Sequence, residues 1–359
     1  MKADFLRLMN EATRLTRAGD LSGATAAIQN ALRGSGDAVQ RDDDSDVIEV
    51  QAREVPTSEP IGIEPPPPDS DDFSPRPARG SFLAGSHVDA IGRRDYKLYV
   101  PPDAGGHPLP LIVMLHGCTQ DPDDFAAGTA MNDAALANGF FVLYPAQSQQ
   151  VNPQRCWNWF KHNHQQRGRG EPALLAGMTR EVMIRYAIDA DRVFVAGLSA
   201  GGAMAAILGD VYRDLYAAVG VHSGLAPGIA HDLQSALAAM NSGATANPPA
   251  TASGVPTIVF HGDADTRVHP RNAEHVIAAS VGNSAAIEVQ RERNGGRAWT
   301  RRLHHGPDGR VLAEHWLVHG APHAWSGGRP GGSHTDSRGP DASGEMMRFF
   351  LEHPRRVRH

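Results

Sequence analysis

The sequence predicts an α/β protein, with a mostly parallel, doubly wound sheet and helices on both faces, preceded by a small helical hairpin and a disordered linker. Three observations carry this expectation. Continuous apolar runs of strand length recur along the chain: "PLIVMLHG" (110–117), "FFVLYP" (140–145), "VFVAG" (193–197) and "PTIVFHG" (256–262). Segments of helical periodicity separate them. The runs do not alternate apolar with polar, so their strands must be buried on both sides, as strands are inside a parallel sheet covered by helices.

From the N-terminus, residues 1–33 read as a helical hairpin, because Phe5, Leu8, Met9, Ala12 and Leu15 recur at helical spacing, as do Leu21, Ala24, Ile28 and Leu32. Gly19-Asp20 breaks the two. So short a pair buries little surface by itself, and docking on a partner or another subunit is expected of it. Residues 34–80, with "RDDDSD" and "EPPPPDSDD", have the acidic, proline-rich composition of a disordered linker. A globular α/β domain is expected over 81–359. It opens with "SFLAGSHVD" and "RRDYKLYVP", which alternate like antiparallel strands. A helix is expected from Asp123 to Asn138 and another over 171–187, with Pro172 in its first turn. A strand in "YAAVGVHSG" (216–224) leads to an insertion of small residues that ends near Gly254. A helix from about Asn272 to Ala279, two more strand-like stretches and the final helix "ASGEMMRFFLEH" complete the pattern.

Composition narrows the function classes. A chain of 359 residues, 41% hydrophobic, can bury a substantial core. Its net charge of −6 argues against a nucleic-acid partner. No apolar run is long enough to span a bilayer. The first twenty residues carry no apolar signal-peptide core, so a cytoplasmic location is expected. Two cysteines, Cys118 and Cys156, make no disulfide framework.

The chemistry centres on "VFVAGLSAGGAMAA" (193–206). A buried strand meets a helix there across Gly197, Ser199, Gly201 and Gly202. That is the G-x-S-x-G pattern of a nucleophile elbow, in which a tight turn pushes the serine out at the sheet edge. The competing reading is a glycine-rich turn whose serine only caps the helix. A serine nucleophile needs a base, and the base an orienting carboxylate. Such groups belong in loops after the C-terminal ends of strands, in the chain order serine, acid, histidine. "FHGDADTRVHP" (260–270) offers Asp263 and Asp265, and "LVHGAPHAWSGG" (317–328) offers His319 and His323. Oxyanion donors are expected from the amide of Ala200 and, in the loop "LHGCTQ" (115–120), from that of Cys118.

The stretches "LHGCTQ", "RCWNWF", "GLSAGGAM", "HGDADTRV" and "HAWSGG…GPDAS" resemble the poly(3-hydroxybutyrate) depolymerase family of esterases, over roughly residues 82–352. The resemblance implies the α/β-hydrolase fold, Ser199 as nucleophile, Asp265 as acid, His323 as base and Cys118 beside the oxyanion hole. No cofactor and no metal is implied. The implied function is a serine esterase acting on esters of short hydroxy acids, with an oligoester or polyester as substrate. Secreted members of the family make the extracellular region the alternative location. They carry a signal peptide and a polymer-binding module, neither of which is evident here. An acetyl-xylan or feruloyl esterase, or a peptidase of the same fold, is the alternative enzyme; a binding protein that kept the fold is the non-catalytic one. Trp159 and Trp325 are assigned to a substrate groove and Trp157 to the core. His116 and His261 are expected to be buried and hydrogen-bonded. A zinc site on His315, His319 and His323 is disfavoured, because four residues of strand span ~13 Å. Cys118 and Cys156 are expected close together, as a disulfide or as two buried thiols according to the compartment.

Overall fold

Leu111, Val113 and Leu115 enter one apolar cluster, while Ile112 and Met114 enter another. Successive side chains of a strand point to opposite faces, so this strand needs apolar cover on both. The computed structural model supplies it; it describes residues 79–243, 252–282, 286–292, 296–306 and 308–355, together with Arg14. The chain divides into two compact units, Met1–Asp72 and Phe73–His359. The expected hairpin (1–33) and linker (34–80) fall almost wholly outside the described residues. The sheet and its helices belong to the second unit.

One sheet holds β1 (Ser81–Val88), β2 (Arg93–Val100), β3 (Leu109–Leu115), β4 (Phe141–Pro145), β5 (Ile188–Leu198), β6 (Ala218–His222), β7 (Thr257–Gly262), β8 (Ala286–Glu292), β9 (Trp299–His305) and β10 (Val311–Val318). Across the sheet the order is β1-β2-β4-β3-β5-β6-β7-β10-β9-β8. From β4 to β10 the neighbours run parallel. Antiparallel pairs finish both edges. A small second sheet joins β11 (Trp325–Ser326) to β12 (Thr335–Asp336).

Helices cover the two faces separately. Leu175 of α3 (Gly170–Arg185), Met204 of α4 (Ala200–Val211), Ala236 of α5 (Leu233–Ser242) and Val276 of α6 (Arg271–Val281) pack in the cluster of Leu111. Phe125 of α1 (Pro122–Thr129), Met131 of α2 (Met131–Asn138) and Phe350 of α7 (Ala342–Glu352) pack in that of Ile112.

Three expectations need correction. The single helix over 123–138 is two, broken at Ala130 in the left-handed region (φ 52°). The carbonyls of Gly128 and Thr129 there accept from Arg329 N and Ser343 Oγ, so tertiary partners take bonds a continuing helix would use. The insertion contains α5, whose start carries a reciprocal capping box between Asp232 and Ser235. Five strands, not two, lie between α6 and α7: β8, β9 and β10 of the large sheet and the two short strands β11 and β12. The one without a clear apolar signal, β8, is an edge strand whose Val289 is exposed.

The parallel strands end in line. Leu115 is in register with Gly197, Leu198 with His222 and Gly262 with Val318. The loops after β3, β5, β6, β7 and β10 therefore leave from one edge.

Buried histidines make this core sensitive to acid. Burial drives the imidazole of His116 down to about 4, and those of His222 and His315 to about 3. Unfolding returns each towards 6.5, so below that pH the unfolded chain binds more protons. The stability they contribute is complete above about pH 6.5 and falls as pH drops from there towards their folded values. At pH 4 each suppressed protonation removes on the order of 3 kcal/mol. The urea midpoint should drop steeply between pH 6.5 and 4; a flat profile across that window would contradict the assignment.

Candidate active site

β5 ends at Leu198 and α4 begins at Ala200, which leaves Ser199 alone to make the turn. Its φ of 57° and ψ of −118° lie where L residues are strained. A Cβ on Gly201 would fall 2.0 Å from the Leu115 carbonyl oxygen. No side chain fits there, and α4 reaches the end of β3 only because Gly201 has none. The Ser199 amide donates to the His222 carbonyl at 2.8 Å. The Ser199 hydroxyl does not cap α4 and makes no hydrogen bond among the described residues. The helix-cap reading of this serine therefore fails.

The acid and base loops meet on the same edge. Asp265 Oδ2 accepts from His323 Nδ1 at 2.7 Å, and Oδ1 accepts from the amides of Arg267 and Val268 at 2.8 and 2.9 Å. His261 Nε2 lies 3.3 Å from Oδ2 and 2.9 Å from the Val268 carbonyl. Asp265 is buried, and burial by itself would raise its carboxyl. The hydrogen bonds from His261 and His323, the charge of His323 and the Val268 amide outweigh that and hold it far below the usual carboxylate range. With Nδ1 committed to Asp265, Nε2 is the ring atom of His323 left to exchange a proton with a reacting group.

Asp263 is engaged elsewhere. It accepts from His319 Nδ1 at 2.8 Å and from the Gly320 amide at 2.6 Å, and His319 Nε2 lies 2.9 Å from Thr300 Oγ1. Both side chains are about 40% exposed. Backbone bonds from Asp263 to Val318 (3.1 Å) and from Ala264 to Ala321 (3.2 Å) pin the acid loop to the base loop. A Cβ on Gly262 would sit 2.2 Å from the Ala321 oxygen, so this close approach also requires glycine. His315 lies 3.3 Å from Arg302. His315, His319 and His323 thus face three different partners.

On the opposite side of Ser199, the loop after β3 has spent most of its amides. Gly117 N donates to Gln120 Oε1 (3.0 Å), Thr119 N to the Gln154 carbonyl (2.7 Å) and Gln120 N to the Gly117 carbonyl (3.3 Å). The Cys118 amide, between them, donates to no acceptor among the described residues. Ala200 opens α4, where an amide has no intrahelical acceptor either. Cys118 and Cys156 form a disulfide, the closer of the two states the sequence leaves open. His116 and His261 are buried and hydrogen-bonded: His116 Nδ1 donates to the Gly117 carbonyl (2.7 Å), and Nε2 accepts from Gln147 N (3.1 Å).

The assignment of Trp159 and Trp325 to an open groove is corrected. They are 5% and 1% exposed. Trp159 packs edge-on to Phe160. Trp325 stacks on His222, meets Phe125 edge-on and donates to Ser343 Oγ. Their positions beside motif residues reflect support rather than exposure. Two residues escape the sequence reasoning: Gln120, whose amide joins Gly117 to Asp124 and Ser333, and His222. Like His116 and His261, His222 is a histidine at the end of an apolar strand run, and that recurrence is the signal that finds it.

Residues 94–301 match the family model described as Esterase PHB depolymerase. The chain is 29% identical over 228 residues to poly(3-hydroxyalkanoate) depolymerase C of Paucimonas lemoignei, a match that covers 60% of this chain and 54% of that protein. It thus spans about half the length of that depolymerase. Feruloyl esterase B of Thermothelomyces thermophilus is 30% identical over 227 residues, covering 58% of this chain and 76% of that one. Among solved structures, an acetyl xylan esterase from Aspergillus awamori matches with a TM-score of 0.58 at 19% identity, over 75% of this chain and 99% of that chain. That likeness shows the fold, which is the α/β-hydrolase fold.

The contacts rank the two aspartates. Asp265→Asn should lower ester turnover roughly 10³- to 10⁴-fold, because an amide favours the wrong histidine tautomer, whereas Asp263→Asn should cost about tenfold or less. Initial rates on a p-nitrophenyl ester check this, and the reverse ranking would reassign the acid.

Proposed function

The chain belongs to the Esterase PHB depolymerase family, and from that footing we propose that it is a serine esterase of short hydroxy-acid esters, with Ser199, His323 and Asp265 as its triad. The observation that carries this reading is the 2.7 Å bond between His323 and Asp265 beside an elbow serine with an unbonded hydroxyl. Ser199 Oγ attacks the ester carbonyl while His323 Nε2 takes its proton. The Ser199 hydroxyl, unbonded in the free protein, forms its hydrogen bond to His323 Nε2 only in the substrate complex, where such catalytic contacts close up. The imidazolium then rests against the Asp265 carboxylate, whose ionised form the site favours. Amides of Cys118 and Ala200 receive the oxyanion, and neither has another acceptor to leave. The imidazolium protonates the leaving alcohol. Water, activated by the same histidine, then hydrolyses the acyl-serine.

Soluble short esters and hydroxybutyrate oligomers are the proposed substrates. The name of the Paucimonas lemoignei relative supports polyester as a chemical class. A crystalline polymer requires an exposed apolar surface at the interface, and Trp159 and Trp325 do not supply one. A second reading, a feruloyl or acetylxylan esterase, is favoured by the names of relatives of those two kinds. Cys118–Cys156 supports an oxidising, extracytoplasmic location over the cytoplasm.

Ser199→Ala should keep the fold and lose ester turnover by several orders of magnitude, with fluorophosphonate labelling abolished. Full activity in that variant would refute the triad. Initial rates on hydroxybutyrate oligomers, feruloyl esters and acetylated xylan rank the substrates; sugar esters turned over well above the oligomers would favour the second reading. Counting alkylated cysteines by mass tests the location: none is expected in protein alkylated in denaturant as it leaves its native compartment, and two would return it to the cytoplasm.

A further inference from the structure

His222 ends β6, 1% exposed, between two aromatic rings. Phe260 lies against it with centroids 5.8 Å apart and planes 12° apart, and Trp325 at 5.0 Å and 26°. Two of its polar atoms reach the two halves of the proposed triad. Its carbonyl accepts from the Ser199 amide at 2.8 Å. Its Nε2 accepts from the Ser326 amide at 2.9 Å, three residues beyond His323. A backbone amide can only donate, so Nε2 is unprotonated and the proton of the neutral ring is on Nδ1. Ser223 Oγ, 3.2 Å from Nδ1, receives it. The Ser223 amide in turn bonds the Phe260 carbonyl, one residue before His261.

We propose that His222 is a positioning residue: its carbonyl holds the nucleophile elbow, its Nε2 holds the base loop, and together they set the separation of Ser199 from His323. The inference rests on the serine-esterase reading. Among the described contacts, His222 is the residue that bonds both loops, one through its backbone and the other through its ring. The ring does not touch reacting atoms and takes no part in proton transfer. Burial, with the charges of His261 and His323, drives it down to about 3, so the acceptor stays available at neutral pH. Trp325 and Phe260 keep the imidazole plane aimed at Ser326. This gives Trp325 a function in place of the groove role expected from its position after His323.

Two variants separate the hydrogen bond from packing. His222→Phe keeps an aromatic ring between Phe260 and Trp325 but removes the acceptor; His222→Gln loses the stack and offers an amide oxygen to the Ser326 N–H. Wild type and both variants are assayed on a p-nitrophenyl ester, and folding is followed by near-UV circular dichroism. His222→Phe should lose kcat about 100-fold with KM within about twofold, the scale on which small misplacement of catalytic groups acts. His222→Gln should retain at least about tenfold more kcat than His222→Phe. Equal or reversed ranking, or loss expressed in KM alone, would overturn the proposal. An inactive wild type would instead sink the esterase reading. If neither variant folds, imidazole ¹⁵N spectra of the wild-type protein decide: a protonated Nδ1 with a bare Nε2 at neutral pH upholds the assignment, and a protonated Nε2 overturns it.

Discussion

The carbonyl of Leu115 comes so close to the backbone of Gly201 that no β-carbon fits between them. That approach sets how far α4 can reach over the end of β3. It puts the first amides of the helix, the serine before them and the loop after β3 within one small volume. Ser199 must then adopt a strained backbone to make the turn. The strain persists because both flanking elements are held independently. β5 pairs with β3 and β6, and the buried face of α4 contributes Ala203, Met204 and Ile207 to the core. The geometry of the turn at Ser199 is therefore a by-product of core packing, not of any bond the serine side chain makes.

Histidines recur where the sheet runs out. At the end of a strand the ladder stops, but the backbone is still buried, and its amides and carbonyls need partners. His116 takes an amide from one neighbouring loop and bonds a carbonyl of its own; His261 bonds the Val268 carbonyl; His222 takes the Ser326 amide. An imidazole suits this position because one ring presents a donor and an acceptor on opposite sides. The same ring costs stability once protons become abundant, since a buried imidazolium has no solvent. The loops around the site are thus joined by neutral bonds, while charge is concentrated on the Asp265–His323 pair.

The central sheet was legible because continuous apolar runs have only one comfortable setting, between two layers of helix. The tight turn at Ser199 and the pairing of Asp265 with His323 were legible because each lies within a few residues of a strand end, where sequence motifs are local. What was hidden depends on contacts remote in sequence. The break at Ala130 is made by Arg329 and Ser343, some two hundred residues away. Trp325 reads as a groove residue from its place after His323, and only the fold shows His222 and Phe125 closing over it. The edge strand β8 has little apolar signal because one of its sides pairs with nothing. The alanine-rich body of α5 hid it among small residues, although Asp232, Ser235 and Gly243 mark its two ends.

Cys118 contributes an amide to the proposed oxyanion site and a sulfur to the bond with Cys156, 38 residues further on. These two contributions are inherited differently. Any residue type other than proline supplies an amide, so chemistry at the site places little demand on the side chain at 118. The sulfur is constrained only by its partner. Replacing either cysteine alone would leave the other as a half-buried thiol beside a reactive centre, open to oxidation and mixed disulfides. Descendants of this sequence can therefore discard the pair together at little chemical cost, but pass through an unfavourable intermediate if they discard it one codon at a time.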